Sequence, residues 1–204
     1  MASGVPGRHR AEHPRARGHR AAPVDAEHSF TGAGLEAAVS GCAARLVHTG
    51  IRPGNTVLVQ LSNQTRILIL TLALVRLGAR PVLALPALRE HELETVITAL
   101  APTVLAVPVR HQRFDHLRLA EKLRERHPSV RLLLVSDAGD RTVGHVDIDR
   151  FIEAGHPPPA HPGRLPSDTA LFLLSSGTTG VPKPSLEPMR RSATRPAARQ
   201  RSRD

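Results

Sequence analysis

The sequence predicts an α/β protein whose doubly wound sheet carries helices on both faces. Short apolar runs of strand length alternate with longer segments in which apolar residues recur every three or four positions, as in a parallel sheet with crossover helices. The strand runs are almost continuously apolar, which is typical of strands covered on both faces. Aliphatic side chains must fill the core, because 40% of the 204 residues are hydrophobic and only four, all Phe, are aromatic.

The alternation begins with a helix. Apolar residues recur at helical spacing between Thr31, a candidate N-cap, and Gly50, a candidate stop. The turn RPGN at 52–55 leads into the apolar run TVLVQL. Asn63 can cap a second helix, which Gly78 ends. The predicted elements are, in chain order, helix 33–48, strand 56–61, helix 63–77, strand 81–85, helix 89–100, strand 103–107, helix 114–126, strand 130–136, helix 147–154 and strand 169–174.

Composition predicts three segments. Residues 1–28 hold five Arg against three acids, residues 184–204 hold six Arg against two acids, and neither has a helical or strand period. We therefore predict a basic disordered N-terminal segment, a folded part over 29–183 and a basic disordered tail, with 155–167 irregular. These ends carry most of the net charge of +10, but no aromatic residues are interleaved for stacking on bases, which argues against a nucleic-acid partner.

Cysteine usage and hydropathy favour a cytoplasmic protein. Cys42 is the only cysteine and falls on the apolar face of the first predicted helix, so no internal disulfide can form. The first 28 residues lack the apolar stretch of a signal peptide. The longest apolar run, ILILTLALV at 67–75, is far shorter than the roughly 18 residues of a membrane span. We therefore predict no membrane partner.

The last predicted strand runs into a glycine loop, SSGTTGVPK at 175–183. Its glycines can adopt positive φ and let backbone N–H groups approach an anion closely. The hydroxyls add donors, and the lysine adds a positive charge suited to phosphate. The Walker A order and the G-x-G-x-x-G pattern are both absent. The candidate phosphate-binding residues are Ser175, Ser176, Gly177, Thr178, Thr179, Gly180 and Lys183.

The run FLLSSGTTGVPK at 172–183 resembles the phosphate-binding signature of the adenylate-forming (AMP-binding) enzymes. This superfamily includes acyl- and aryl-CoA synthetases, peptide-synthetase adenylation domains and luciferases. Ser176 stands where the family usually has the first glycine of Ser-Gly-Gly. The segments at 30–63 and 72–86 are similar to the family's opening helices and strands. Within the second segment, PVLALP is most similar to the aryl-acid branch, which activates 2,3-dihydroxybenzoate or salicylate for siderophore assembly.

This resemblance implies that the loop embraces the β- and γ-phosphates of MgATP while a carboxylate attacks the α-phosphate to form an acyl-adenylate. After Lys183, the chain does not match the family segments for the acid pocket, adenine, ribose and magnesium. It also does not match the C-terminal domain that carries the catalytic lysine, and Lys183 is not that lysine. We therefore expect an N-terminal part of the family's large domain, incomplete at the C-terminus, with no catalytic residue and no metal ligand. ATP and Mg binding should be weak or vestigial, and an aryl acid should react only if the missing part is supplied in trans.

An alternative stays open: a non-catalytic protein that holds an anion or a nucleic acid with the glycine loop and the basic termini. Other constellations carry less chemistry. His9 and His13 stand four residues apart, as metal ligands can on a helix, but a proline and several arginines surround them. Glu90, Glu92 and Glu94 lie near the start of a predicted helix, where acidic side chains complement the helix dipole.

Overall fold

The computed structural model describes residues 22–23, 29–62, 64–139, 144–153, 170–175 and 183–188. The helices in these ranges are α1 Gly32–His48, α2 Gln64–Leu77, α3 Glu90–Leu100, α4 His116–Arg126 and α5 Asp149–Glu153. The strands are β1 Ala22–Pro23, β2 Ser29–Phe30, β3 Thr56–Val59, β4 Arg80–Leu83, β5 Val104–Pro108, β6 Arg110–His111, β7 Phe114–Asp115, β8 Leu132–Ser136, β9 Val146–Asp147, β10 Ala170–Ser175 and β11 Lys183–Pro188.

One sheet of seven strands organises the described part of the chain, in the order β11-β10-β4-β3-β5-β8-β9. Neighbouring strands are parallel, except that β10 and β11 are antiparallel. The central strand β3 pairs with β4 on one side and β5 on the other, so its backbone groups find partners in both directions. The predicted α/β fold with a doubly wound sheet is confirmed.

Two apolar clusters cover the two faces of the sheet. The first contains Leu58 and Leu123, and it joins the sheet to α3 and α4. The second contains Val57, Leu46 and Leu70, and it joins the sheet to α1, α2 and the start of α5. Successive strand residues point to opposite faces, so Val57 and Leu58 belong to different clusters. This burial on both faces explains why the strands are apolar without alternation.

The helix ends follow the local signals in the sequence. Thr31 accepts a hydrogen bond from the backbone N–H of Gly34 at 3.0 Å, so the predicted N-cap of α1 is confirmed. Gly50 and Gly78 follow α1 and α2 with φ of +92° and +78°, a conformation that glycine adopts without strain. The candidate cap Asn63 lies outside the described residues.

The segment between β5 and α4 differs from the prediction. β6 and β7 form a short antiparallel hairpin, and β7 occupies the first two positions of the predicted helix 114–126. The helix begins at His116 because the Asp115 side chain accepts a hydrogen bond from the backbone N–H of Arg118 at 2.9 Å and thereby caps it. A second unpredicted element, β9, adds a parallel strand beside β8 just before α5.

The predicted boundary between the folded part and the basic tail is corrected by β11. This strand pairs with β10 from Lys183 opposite Ser175 to Pro188 opposite Ala170, so residues 184–188 belong to the sheet. Composition does not reveal this pairing, because the backbone of β10 supplies the partners. Prolines at both ends of the segment are compatible with an edge strand, where one side needs no ladder.

The remaining predictions about the ends stay predictions. Ala22–Pro23 pairs with Ser29–Phe30, so one strand of a short ladder lies within the segment 1–28 that is predicted to be disordered. The rest of the predicted N-terminal segment, the irregular stretch 155–167 and residues 189–204 lie outside the described residues.

The double layer predicts a large difference between two Leu→Ala substitutions. Leu134 in β8 is completely buried, whereas Leu85 after β4 is 54% exposed. Leu134→Ala should lower the free energy of unfolding by about 2–5 kcal/mol, because it removes apolar contacts and leaves a cavity. The matched control Leu85→Ala should lower it by less than about 1 kcal/mol. Urea unfolding followed by circular dichroism measures both, and equal losses would contradict the layered core.

Candidate functional site

The glycine loop begins and ends on two paired strands. Ser175 is the last residue of β10, Lys183 is the first residue of β11, and the two are directly opposite each other in the antiparallel ladder. Opposed residues in such a ladder have Cα atoms about 4.5–5.5 Å apart. The structure therefore brings the first and last predicted phosphate-binding residues together. The other five, Ser176, Gly177, Thr178, Thr179 and Gly180, lie outside the described residues.

The loop starts at the carboxyl edge of the sheet. β10 lies between β11 and β4, and it pairs with β4 in parallel through Phe172 opposite Val82 and Leu173 opposite Leu83. The last predicted strand thus belongs to the same sheet as the others. Ligands of open α/β sheets bind outside the carboxyl ends of the strands. The position of Ser175 is consistent with such a site, and the roles of the seven loop residues stay a prediction.

The connection from β4 to α3, residues 84–89, leaves the sheet at the same edge and beside β10. It is held from below by Gln60, whose side-chain amide donates to the carbonyl oxygens of Leu85 and Leu88, both at 3.0 Å. Arg89 holds it from the other end by donating to the carbonyl oxygens of Pro86 at 2.7 Å and Leu88 at 3.0 Å. Side chains therefore fix the backbone of this connection at three carbonyl groups.

A buried histidine completes the contacts of Gln60. His116, at the start of α4, is 1% exposed, and its Nδ1 lies 3.3 Å from Oε1 of Gln60. The Gln60 oxygen can only accept, so Nδ1 carries the proton and donates. The Phe114 ring meets the His116 ring edge-on at 4.9 Å between centroids, and the Arg89 guanidinium lies 4.1 Å above the Phe114 ring.

The other ring nitrogen of His116, Nε2, differs from Nδ1 in its contacts. Among the described residues, no group hydrogen-bonds its Nε2. Burial, assisted by the positive charges of Arg89 and His111, lowers the pKa of His116 from 6.5 to about 4, although Asp115 opposes the shift. His116 is therefore neutral at physiological pH. Its ring lines a cavity of about 10 Å³ whose other walls are mainly aliphatic. That volume admits about one water molecule and excludes a nucleotide or an aryl acid.

A second polar cluster lies at the carboxyl end of β8. Arg66 of α2 contacts Asp149 at 2.6 Å and Asp137 at 3.0 Å, and the backbone N–H of Asp137 donates to Asp149 at 2.7 Å. Burial raises the pKa of Asp149, while the Asp137 N–H and the Arg66 charge oppose the shift. The cluster ties α2, β8 and α5 together at the edge. Sequence reasoning missed it, because the three residues are distant in the chain.

The acidic residues of α3 make structural contacts. Glu90 pairs with Lys122 and Arg126, and Glu94 pairs with Arg126, each at 2.7 Å on the surface between α3 and α4. Hydrogen bonds from Lys122 and the neighbouring positive charges lower the pKa of Glu90. Glu92 accepts from the backbone N–H of Arg89 at 3.0 Å and so satisfies a donor at the start of α3.

The remaining sequence candidates add no chemistry to the described part of the molecule. Cys42 is buried, and burial raises the pKa of its thiol to about 12, so the thiol stays protonated. In the described ranges, no three His, Cys, Asp or Glu side chains are grouped as metal ligands. His9 and His13 fall outside these ranges. No helix within the described residues has the length and apolar character to cross a membrane.

A doubly wound sheet with a glycine loop at its carboxyl edge defines an α/β protein with a candidate phosphate site. The family described as AMP-binding enzyme matches residues 10–186, which is most of the chain. The chain therefore belongs to the AMP-binding enzyme family, and the predicted family is confirmed. The match also extends beyond both predicted boundaries of the folded part, at residues 28 and 183.

Several relatives of this chain act on aryl acids by name. It is 40% identical over 174 residues to a salicylyl-CoA synthase / salicylate adenylyltransferase of Streptomyces sp, covering 81% of this chain and 31% of the relative. It is 29% identical over 153 residues to the 2,3-dihydroxybenzoate-AMP ligase of Bacillus subtilis (strain 168), covering 73% of this chain and 26% of the relative. These relatives agree with the predicted aryl-acid branch.

A solved structure supports the same fold. The apo structure of Mycobacterium smegmatis MbtA superposes with a TM-score of 0.67 at 36% identity, covering 80% of this chain and 30% of that one. The chain thus spans less than a third of the length of these proteins.

Because the pKa of buried His116 is lowered, we expect the stability of the folded chain to depend on pH. The pKa of this histidine is lower in the folded chain than the ordinary 6.5, so the unfolded chain binds the proton at higher pH. The contribution of neutral His116 to the free energy of unfolding should therefore be fully present above pH 6.5. It should be lost as the pH falls toward 4, which lowers the free energy of unfolding by about 3 kcal/mol. His116→Gln should remove this component, because the amide does not titrate.

Urea unfolding of both proteins at pH 7.5, 5.5 and 4.5 measures the difference. Carboxylates titrate in both, so only the wild-type minus variant difference reports His116. A constant difference across this range would contradict the assignment of His116 as a buried neutral group.

Proposed function

We propose that this chain supplies the ATP-phosphate-binding segment of an aryl-acid–AMP ligase of the kind that activates salicylate or 2,3-dihydroxybenzoate for siderophore assembly. The observation that carries the proposal is the pairing of Ser175 with Lys183 at the carboxyl edge of the sheet. It brings the two ends of the glycine loop to the edge where such sheets bind ligands. Membership of the AMP-binding enzyme family and the names of the aryl-acid relatives support it.

The proposed chemistry of the segment is electrostatic. Backbone N–H groups and hydroxyls of the loop would donate to the β- and γ-phosphates, and Lys183 would place a positive charge beside them. Preorganised donors of this kind stabilise charge that develops during adenylyl and phosphoryl transfer. Mg²⁺ would reach the site with ATP, since this ion is usually held by substrate phosphates, waters and one or two carboxylates.

Adenylation requires more than phosphate binding. The carboxylate of the aryl acid must be held in line with the α-phosphorus, and such positioning accounts for roughly 7–11 kcal/mol of the barrier lowering. Residues 184–204 do not match the family segments for the acid pocket, adenine, ribose and magnesium. We infer that these 204 residues by themselves bind ATP weakly and that catalysis needs those further segments. The lone, buried Cys42 supports a reducing, cytoplasmic setting.

The two lysines of the chain allow a matched test of the loop. Lys183→Ala should weaken MgATP binding about 10- to 150-fold, because a charge-assisted contact with phosphate is worth roughly 1.5–3 kcal/mol. Lys122→Ala should leave binding unchanged, because Lys122 pairs with Glu90 on the outer surface of α3 and α4. A titration followed by ³¹P NMR measures weak affinities directly. Equal effects of the two substitutions would refute the loop assignment.

Acid activation by the purified chain should be undetectable. The measurement is ATP–pyrophosphate exchange with salicylate, 2,3-dihydroxybenzoate and a panel of other acids. Robust acid-dependent exchange that Lys183→Ala abolishes would overturn the inference that other segments are needed. It would leave the assignment of the phosphate loop intact.

A further inference from the structure

We propose that Gln60 and His116 are positioning residues, which hold the connection 84–89 against the start of the glycine loop. The proposal rests on the proposed function for its meaning in catalysis, but the mechanical coupling that it describes can be measured without ATP.

The first step is the grip on the connection. Gln60 follows β3 directly and is 2% exposed. Its side-chain amide donates one hydrogen bond to the carbonyl oxygen of Leu85 and one to that of Leu88. Its backbone N–H donates to the carbonyl oxygen of Ala106 at 2.8 Å, so β5 fixes the base of the side chain. The grip therefore starts from the most buried strands of the sheet.

The second step is the orientation of the Gln60 amide. An unrestrained amide can rotate by half a turn and present its oxygen to the carbonyls, which would repel it. The Nδ1–H of neutral His116 donates to Oε1 of Gln60 and selects the rotamer in which the NH₂ group faces Leu85 and Leu88. His116 thus acts on the connection through Gln60 and does not touch it by a hydrogen bond of its own.

The third step links the connection to the loop. β4 and β10 are adjacent parallel strands with Leu83 opposite Leu173, so the two chains leave the sheet side by side. Leu85 is two residues beyond Leu83, and Ser175 is two residues beyond Leu173. The connection that Gln60 holds therefore starts beside the strand that leads into the first predicted phosphate-binding residue.

A purely structural role explains the pair less well. An apolar pair would fill this interior without burying polar groups, whereas this pair buries an amide and an imidazole that are at most 2% exposed. Their hydrogen bonds go to each other and to the carbonyl oxygens of Leu85 and Leu88, so the buried polar groups are used to hold the connection.

Acid should release the grip. Protonation adds an N–H to a ring that lines a mainly apolar cavity, and it places a further positive charge near Arg89 and His111. Gln60, Asp115 and the Phe114 ring are the other groups around the imidazole. Asp115 favours the charged form, but burial and the two positive neighbours outweigh it.

Hydrogen–deuterium exchange of the full chain, read by mass spectrometry, tests the coupling. Gln60→Leu keeps the size of the side chain and removes both donors. It should accelerate exchange about tenfold, both in peptides covering 84–90 and in peptides covering 172–187, with peptides of α1 unchanged. His91→Gln, at an exposed position of α3, is the matched surface control and should change neither region.

The pH arm needs no destabilised variant. Relative to His116→Gln at the same pH, the wild type should exchange at least about tenfold faster in both regions at pH 5 than at pH 7.5. Acceleration confined to 84–90 would overturn the proposal, because the pair would then stabilise only its own connection. Uniform acceleration of all peptides would overturn it too, because that is global destabilisation. If Gln60→Leu does not fold, the comparison of the wild type with His116→Gln at pH 5 and pH 7.5 decides whether the proposal holds.

A final arm separates the two proposals. MgATP should slow exchange in 172–187 of the wild type and should slow it less in Gln60→Leu. Coupled exchange without any effect of MgATP would refute the ATP function and keep the positioning role. Protection by MgATP that is identical in the two proteins would refute the positioning role and keep the ATP function.

Discussion

The burial of β3 and β5 between two apolar layers is the constraint on which the rest of the structure depends. Val57 and Leu58 point to opposite sides and are both enclosed, so no polar ligand can approach the strands from a face. Polar chemistry is thereby confined to the ends of the strands. At the carboxyl end the chain places Gln60, the connection after β4, and the start of the glycine loop.

The same constraint decides which polar groups are tolerated at that edge. Arg66, Asp137 and Asp149 form a compact cluster in which both carboxylates meet the guanidinium, and the cluster joins two helices to a strand end. Gln60 and His116 are more deeply buried and hydrogen-bond to each other. The first arrangement joins several elements, whereas the second holds one backbone segment, the connection 84–89.

The sequence predicts the fold well where burial alone decides it. The five helices and the strands from β3 to β10 that lie in the main sheet follow from apolar runs and caps such as Thr31, with the short β9 as the exception. Burial does not predict which strands pair with each other, because pairing depends on residues far away in the chain. β11 carries two prolines and a glutamate and has no strand signal of its own, yet β10 recruits it as an edge strand.

In the candidate site, too, the sequence predicts the residues of a local motif and not the residues that only the packing brings together. Ser175 and Lys183 are predicted from the sequence as phosphate-binding residues, because the loop motif is local and specific. Gln60 and His116 are 56 residues apart, and each alone matches a common pattern: a polar residue after a strand and a histidine at a helix start. Only the packing of α4 on β3 and β5 joins them, and no local signal in the sequence reports that contact.

The unexpected strand β11 changes the physical account of the loop. A glycine loop at an unfinished edge would have free ends, and ordering it would consume much of the free energy gained from phosphate contacts. In this chain both ends are paired, with Lys183 opposite Ser175, so seven residues close a gap of about 5 Å. The ladder has already brought the two ends of the loop together, so phosphate binding does not have to provide the entropic cost of closing the loop. The ladder therefore fixes the backbone of Lys183 before any phosphate binds, and anchoring this residue adds no ordering cost to binding.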